Sequence, residues 1–408
     1  MFRTVTTSPT LQINTLSQKL VAEGRDIIKF GFGQSPFLPP VPVIAALQTA
    51  AHRKEYSSVQ GSVALREQMA QFHAKHNGLL VLPENILLAP GSKILLFSII
   101  MAFTEVDVLI PQPAWVSYAP QVKLAKQHPI LVKTSFAKRW RVTGAALRQA
   151  VQQKRYSSTL LILNYPGNPD GLTYTATELA EIAKVARELD IWLIADEIYG
   201  LLDFRGRHYS IANFYPEQTI TTTGLSKWCG AGGWRFGAAF LPATLPSNFK
   251  RALLGIASET YSCAPVPVQV AAETAYADYH NIVNYLNYQI AILQEVGTYC
   301  ARQLQSFRVE VHAPQGGFYL FPDFEYYRRK LAQIGIMTSE ELCQQLLADT
   351  GVALLPGTAF GCPSYQLTAR LAFVDFTEPT DGKTFELAQH GQRIVEGTKR
   401  IKEWLEKN

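Results

Sequence analysis

The stretch "TLLILNYPGNPDGLTYTATELAEIAKVARELDIWLIADEIY", Thr159–Tyr199, holds a strand, a turn, a helix and a second strand in one pass. "TLLILN" (Thr159–Asn164) and "IWLIA" (Ile191–Ala195) are almost wholly apolar, the pattern of strands covered on both faces. Between them, Leu179, Ile182, Ala183, Ala186 and Leu189 share one face of a helix predicted over about Thr177–Leu189. Thr175 and Glu178 have the spacing of a capping box at its start. Two covered strands joined by a helix predict a parallel pair.

The same alternation runs outward from about residue 85 to 242. "NILLA" leads into a predicted helix at Ser92–Phe103, and "DVLI" precedes one over Ala114–Lys126. "QTITTT" (Gln218–Thr223) and "FGAAFL" continue the series. The fold class is therefore α/β, a mostly parallel sheet sandwiched by helices. Beyond Pro265 one long, bent helical stretch is expected to about Phe307. "RVEVH", "GGFYLF", a helix near Glu340–Asp349, "GVALL", "QLTARLAFV" and a final helix follow, and they read as a smaller α+β domain. The expected division is a large domain over 51–299, with 1–50 and 300–408 forming the small domain and its N-terminal segment.

Composition narrows the function. At 408 residues and 47% apolar content the chain can bury one large core or two. Its net charge of +5 is spread along the sequence. Short basic groups such as "AKRWR" (Ala137–Arg141) and "EYYRRK" (Glu325–Lys330) read as solvated surface, so no nucleic-acid partner is expected. Five dispersed cysteines without C-x-x-C spacing fit reduced thiols in the cytoplasm, and neither a disulfide framework nor a metal site. The opening "MFRTVTTSPT" lacks an apolar signal core, and the longest apolar run, "ILLFSIIMAF" (Ile94–Phe103), is too short to span a bilayer. A soluble protein without membrane contact is expected.

In an open parallel sheet, ligands bind beyond the carboxyl ends of the strands. "YPGNPDG" places Asn168 after one strand, "DEIY" places Asp196 and Tyr199 after the next, and "GLSK" places Ser226 and Lys227 after a third. Arg235 follows eight residues later in an almost uncharged, glycine-rich run. Singly, these are ordinary turn, cap and loop residues. Together they match the needs of pyridoxal 5′-phosphate: an amine for the aldehyde, a carboxylate for the ring nitrogen, an amide and a phenol for the ring hydroxylate, and cations for the phosphate. Lys227, Asp196, Asn168 with Tyr199, and Arg235 with Ser226 fill those roles in that order. "APGSK" (Ala89–Lys93) adds the Ser92 and Lys93 amides at a positive helix end.

These segments resemble the class I/II aminotransferases of PLP fold type I, within the aspartate aminotransferase superfamily. "GLSKWCGAGGWRFG" is similar to the family's lysine box, "YPGNPDG" to its N-P-x-N-P-T-G segment and "ADEIY" to its D-E-x-Y box. "IPQPAWVSYAPQVKLA" resembles the segment whose aromatic residue, here Trp115, stacks on the cofactor ring. "YSSVQGSVALREQMAQF" resembles the segment whose tyrosine, here Tyr56, reaches the phosphate of the neighbouring subunit, which implies a homodimer. "GFGQSPF" resembles the loop whose Gly33 backbone meets the substrate, and "LTARLAFV" the strand whose arginine, here Arg370, pairs with the substrate α-carboxylate. "PQGGFYLF" and "GVALLPGTAFG" resemble segments of the small domain.

The resemblance implies ping-pong transfer of an amino group from an L-amino acid to a 2-oxo acid, with Lys227, Asp196 and Tyr199 as catalytic residues. Substrate-binding contacts fall to Gly33, Asn168 and Arg370, with Asn168 shared between cofactor and substrate. Lys93 and the "SPT" of Ser8–Thr10 resemble positions that receive an acidic side chain, and Phe32 and Phe360 leave aromatic or kynurenine-type substrates open. A PLP-dependent C–S β-lyase, or a regulator-like protein that binds PLP without catalysis, is also compatible with these boxes. The chain departs from the pattern at Gly224, three residues before the lysine, at Asp170, and at Ser35-Pro36 after Gly33-Gln34. The last two point toward an unusual substrate.

Overall fold

In the computed structural model, which describes residues 5–379 and 384–407, the opening stretch forms two neighbouring parallel strands of a seven-stranded sheet. Its strands are β1 (Ile86–Ala89), β2 (Asp107–Pro111), β3 (His128–Val132), β4 (Thr159–Asn164), β5 (Ile191–Asp196), β6 (Thr219–Gly224) and β7 (Gly237–Phe240). They lie in the order β1-β7-β6-β5-β4-β2-β3, with β7 antiparallel to both neighbours and the other pairings parallel. Successive side chains leave the sheet on opposite sides. Leu160, Ile162 and Ile194 join one core with Leu95, Leu96 and Ile99 of the helix Ser92–Met101. Leu161, Leu163, Leu193 and Ala195 join another with Leu179, Ile182 and Ala186 of the helix Ala176–Glu188. Both faces are covered, as continuous apolar strands require.

The Ala176–Glu188 helix begins at the predicted capping box, in which Thr175 and Glu178 each satisfy the other's backbone N–H. A second sheet, β8 (Tyr319–Leu320), β9 (Leu355–Pro356) and β10 (Ala369–Ala372), is antiparallel in the order β8-β10-β9. Helices Pro9–Ala22 and Val41–Ala50 precede the large sheet.

Several elements differ from expectation. The long stretch after Pro265 is two helices, Val266–Ala277 and Tyr279–Ser306, broken at Asp278. Asp278 leaves helical geometry and its carboxylate accepts the Asn281 N–H at 3.2 Å, so its preference for capping outweighs the apolar periodicity on either side. Only Tyr118–Leu124 of the predicted 114–126 helix is helical, because Ala114–Ser117 turns past the site. His128–Val132, too polar at its start to stand out, forms the edge strand β3. "RVEVH" contributes an isolated bridge at Glu310, and "GVALL" one at Val352 before its Leu355 enters β9. Residues 1–4 of the polar opening segment and Asn408 lie outside the described residues. Among the described residues no helix is long and apolar enough to cross a membrane.

Candidate active site

The carboxyl ends of β4, β5 and β6 meet where the sheet order places those strands side by side. Asn164 ties the first two together: its Nδ2 donates to the Asp196 carbonyl at 2.8 Å, and its Oδ1 accepts the Asn168 N–H at 2.8 Å. Asp196 ends β5 almost without solvent contact. Its Oδ2 accepts from the Tyr118 hydroxyl at 2.6 Å and its Oδ1 from the Thr222 hydroxyl at 3.2 Å. No cation pairs with it among the described residues. Burial pushes the Asp196 carboxyl up to about 6, against the pull of the Tyr118 and Thr222 hydroxyls. Tyr118, buried beside that carboxylate, is held neutral far above the ordinary phenol range.

Lys227 follows β6, and its ammonium donates to the Gly33 carbonyl at 3.1 Å. Burial holds its pKa below the usual lysine value, as do the Arg370 and Arg235 cations, while Tyr319 and Asp196 oppose the shift. Arg235 takes a left-handed backbone (φ 59°), and its Nη1 donates to the Gly232 carbonyl at 2.8 Å. Its guanidinium lies against Gly91, where any Cβ would collide with it and where φ is 97°. Only glycine combines that backbone with that approach. Gly91 caps the helix Ser92–Met101, whose first turn carries no acidic residue. Lys93 holds its Nζ 5.2 Å from the Trp115 ring centre, with its pKa lowered by burial and by Arg235. A helix N-terminus beside an arginine and a lysine is a strong anion-binding arrangement.

Arg370 reaches the same region from β10. It is 1% exposed, and its Nη1 donates to Asn168 Oδ1 at 3.0 Å and its Nη2 to the Gly31 carbonyl at 2.7 Å. Among the described residues its Nε has no hydrogen-bond partner and its guanidinium forms no ion pair. The guanidinium stacks on the rings of Tyr319 (4.6 Å) and Phe360 (5.1 Å). A buried guanidinium with a donor to spare is poised to receive an anion, and its planar fork suits a carboxylate.

One cavity of about 550 Å³ is lined by every sequence-predicted site residue except Tyr56, and by Ser8, Thr10, Phe32, Tyr118 and Tyr319 as well. That volume suits a small ligand. Tyr56 is 85% exposed and stands outside this cavity. Phe360 does not line it but packs behind Arg370.

The departures from the family pattern have structural causes. A side chain at Gly224 would meet the Phe236 carbonyl of the facing β7 segment at 2.5 Å, so this strand end has no room for a serine. Asp170 does not line the cavity around Lys227. It is buried and pairs with Arg141, whose Nη1 also donates to the Leu172 carbonyl at 3.2 Å. Its role is to close the Asn168 loop from behind, and its presence says nothing of an unusual substrate. Ser35 is buried with its hydroxyl unpartnered, while Gln34 beside it faces the cavity. Sequence reasoning missed Tyr118, Thr222, Arg141 and Tyr319. Tyr118 lies three residues after Trp115 and could have been found as the polar residue one helical turn on. The others carry no local signal.

Residues 25–377 match the family described as aminotransferase class I and II. The chain is 32% identical over 367 residues to the aspartate aminotransferase of Geobacillus stearothermophilus, covering 88% of this chain and 90% of that protein. It is 31% identical over 379 residues to the aspartate aminotransferase of Bacillus sp. (strain YM-2), covering 91% and 93%. The solved structure of the Thermus thermophilus aspartate aminotransferase with maleate shares the fold, with a TM-score of 0.84 at 24% identity over 98% of this chain and 100% of that one.

Proposed function

The chain belongs to the class I and II aminotransferases, and from that membership we propose that it binds pyridoxal 5′-phosphate and takes amino groups from dicarboxylic L-amino acids. The observation that carries this reading is a single cavity lined jointly by Lys227, Asp196, Arg235 and the incompletely bonded Arg370.

The residues fit the cofactor. Asp196 is a buried carboxylate with no ion-pair partner among the described residues, a costly state that a protonated ring nitrogen would relieve. Arg235, Ser226, and the Ser92 and Lys93 amides would hold the phosphate, and Asn168 and Tyr199 the ring hydroxylate. Trp115 would cover the ring, and Lys227 would take the aldehyde. When bound, the group supplies a carbonyl that accepts the amino nitrogen and a cationic ring that accepts the electron pair left at Cα. Arg370 and Asn168 grip the α-carboxylate and so orient Cα toward Lys227. Lys227 Nζ, with its basicity reduced by burial, takes the Cα proton.

For the side chain, Lys93 has no ion-pair partner among the described residues, and the nearby Thr10 hydroxyl is buried without one. An ammonium and a free hydroxyl suit a second carboxylate, and hence aspartate or glutamate. Phe32 on the same wall favours the second reading, an aromatic donor.

Tyr56 completes the site from a second copy in this reading, since it is exposed and lies off its own cavity. The 51–299 and 1–50/300–408 division is part of the same reading, supported by strands of the large sheet falling within 86–240 and those of the small one within 319–372. A cytoplasmic setting agrees with five unpaired cysteines. The test is a half-reaction screen of the PLP-loaded protein against the common amino acids, read as conversion of the cofactor absorbance to that of pyridoxamine phosphate. Fastest conversion by aspartate or glutamate is expected. Fastest conversion by phenylalanine or tyrosine would move the assignment to the aromatic reading, and release of pyruvate and ammonia would move it to a lyase.

A further inference from the structure

Tyr319 occupies the point where the other site residues meet. It sits on β8, 2% exposed, and its hydroxyl lies 3.0 Å from the Tyr199 hydroxyl. The same hydroxyl lies against Gly33, where any Cβ would collide with it, and Gly33 is the residue whose carbonyl holds Lys227. The Arg370 guanidinium rests on the Tyr319 ring at 4.6 Å. One phenol therefore touches the cofactor-facing tyrosine, the substrate-facing glycine and the carboxylate-binding arginine.

The direction of the hydrogen bond between the two phenols decides what Tyr199 can do. A phenol has one hydrogen to donate. If Tyr199 gave its hydrogen to Tyr319, it could not donate to a ring hydroxylate in the cavity. If Tyr319 donates, the Tyr199 oxygen is satisfied and its hydrogen stays free. A cation on the face of the Tyr319 ring draws electron density from it and makes its O–H the better donor. The Tyr319 ring carries the Arg370 guanidinium at 4.6 Å; the Tyr199 ring has a cation only at 5.5 Å, the Lys227 ammonium, and in the reading above that amine is taken up by the cofactor aldehyde. We propose that Tyr319 is a positioning residue that donates to Tyr199 and so keeps the Tyr199 hydrogen aimed at the bound cofactor. The proposal rests on the pyridoxal 5′-phosphate reading above. Packing alone would not explain it, because phenylalanine would fill the same space without the oxygen that approaches Gly33 and Tyr199.

The experiment is a double-mutant cycle of Tyr319→Phe, Tyr199→Phe and the pair, each purified without cofactor and checked by thermal unfolding. The first readout is affinity for pyridoxal 5′-phosphate, followed by quenching of tryptophan fluorescence. Tyr319→Phe is expected to weaken binding about fivefold, the size of one hydrogen bond. The double variant is expected to bind no more weakly than Tyr199→Phe alone, because both act through one group. The second readout is the half-reaction with L-aspartate: the rate constant at saturation should fall in Tyr319→Phe, while the half-saturation concentration stays within about twofold. Additive losses in the double variant, or wild-type affinity in Tyr319→Phe, would overturn the proposal. A wild-type protein that takes no pyridoxal 5′-phosphate would overturn the functional reading and the proposal with it, so the two failures are distinguishable.

Discussion

Asp196 and Glu197 are consecutive, both carboxylates and both at least 95% buried, yet they live in opposite circumstances. Asp196 faces the cavity with two hydroxyl donors and, among the described residues, no ion-pair partner. Glu197 faces the other way into a closed network. Its Oε1 accepts from Tyr165 at 2.8 Å and Ser210 at 2.7 Å, and its Oε2 lies 3.0 Å from His208 Nε2. Beyond His208, at 3.8 Å, stands Asp203, which is itself paired with Arg205. Burial pushes the His208 imidazole down, but Glu197 and Asp203 more than reverse that and raise its pKa to about 9. One strand end thus carries one carboxylate with a cationic neighbour and one that faces the cavity with no ion-pair partner among the described residues. A buried charge left without a counter-charge in a cavity is the kind of feature that accompanies a functional site.

The largest expected effect lies on the unfinished side. If Lys227 is the proton acceptor, as proposed, Lys227→Ala should cost about a thousandfold or more in the half-reaction, and the absorbance of lysine-bound cofactor should vanish. Retained turnover would remove the lysine from the mechanism. On the finished side, Glu197→Gln leaves the buried His208 imidazolium with Asp203 alone, at 3.8 Å, and should destabilise the protein by about 3 kcal/mol in urea unfolding near pH 6. Because His208 has a raised pKa, its stabilisation is complete below about 6.5 and fades as pH rises through about 9. The Glu197→Gln penalty should therefore shrink toward pH 10, and a penalty independent of pH would mean that the pair is not ionic.

Arg370→Met should raise the half-saturating L-aspartate concentration roughly thirtyfold, the loss of charge-assisted hydrogen bonds to one carboxylate, as measured in the half-reaction. The smallest effect runs the other way. Asp196 carries a raised pKa, so in the cofactor-free protein its ionisation is a burden above about pH 6 that is relieved as pH falls toward 4. Asp196→Asn should stabilise the cofactor-free protein at pH 8 by on the order of 2 kcal/mol, with little change at pH 4, while weakening cofactor binding. A destabilised Asp196→Asn protein at pH 8 would erase the contrast between the two carboxylates.

Much of this was legible along the chain. The apolar strands Thr159–Asn164 and Ile191–Asp196 and the capped helix between them needed only periodicity and local hydrogen-bonding preference, both short-range properties. Asn168, Asp196 and Lys227 could be expected to line one cavity for the same reason: each follows a recognisable strand, and parallel topology brings strand ends together. Local signals failed where long-range packing decides. Asp278 breaks a helix that its neighbours would continue, and Gly224 is small because of a carbonyl on another strand.

The sequence by itself determined the class of sheet, the family and the chemical type of nearly every group in the cavity, because strand and helix periodicity and the motifs are properties of neighbouring residues. Only the tertiary structure decided which charges are answered and which are not. His208 answers Glu197 from 11 positions on, Arg141 meets Asp170 across 29, Tyr319 meets Tyr199 across 120, and Arg370 meets Asn168 across 202. Such pairings depend on where the chain returns in space, and on burial that turns a weak surface interaction into a strong one, and neither is written in the residues on either side.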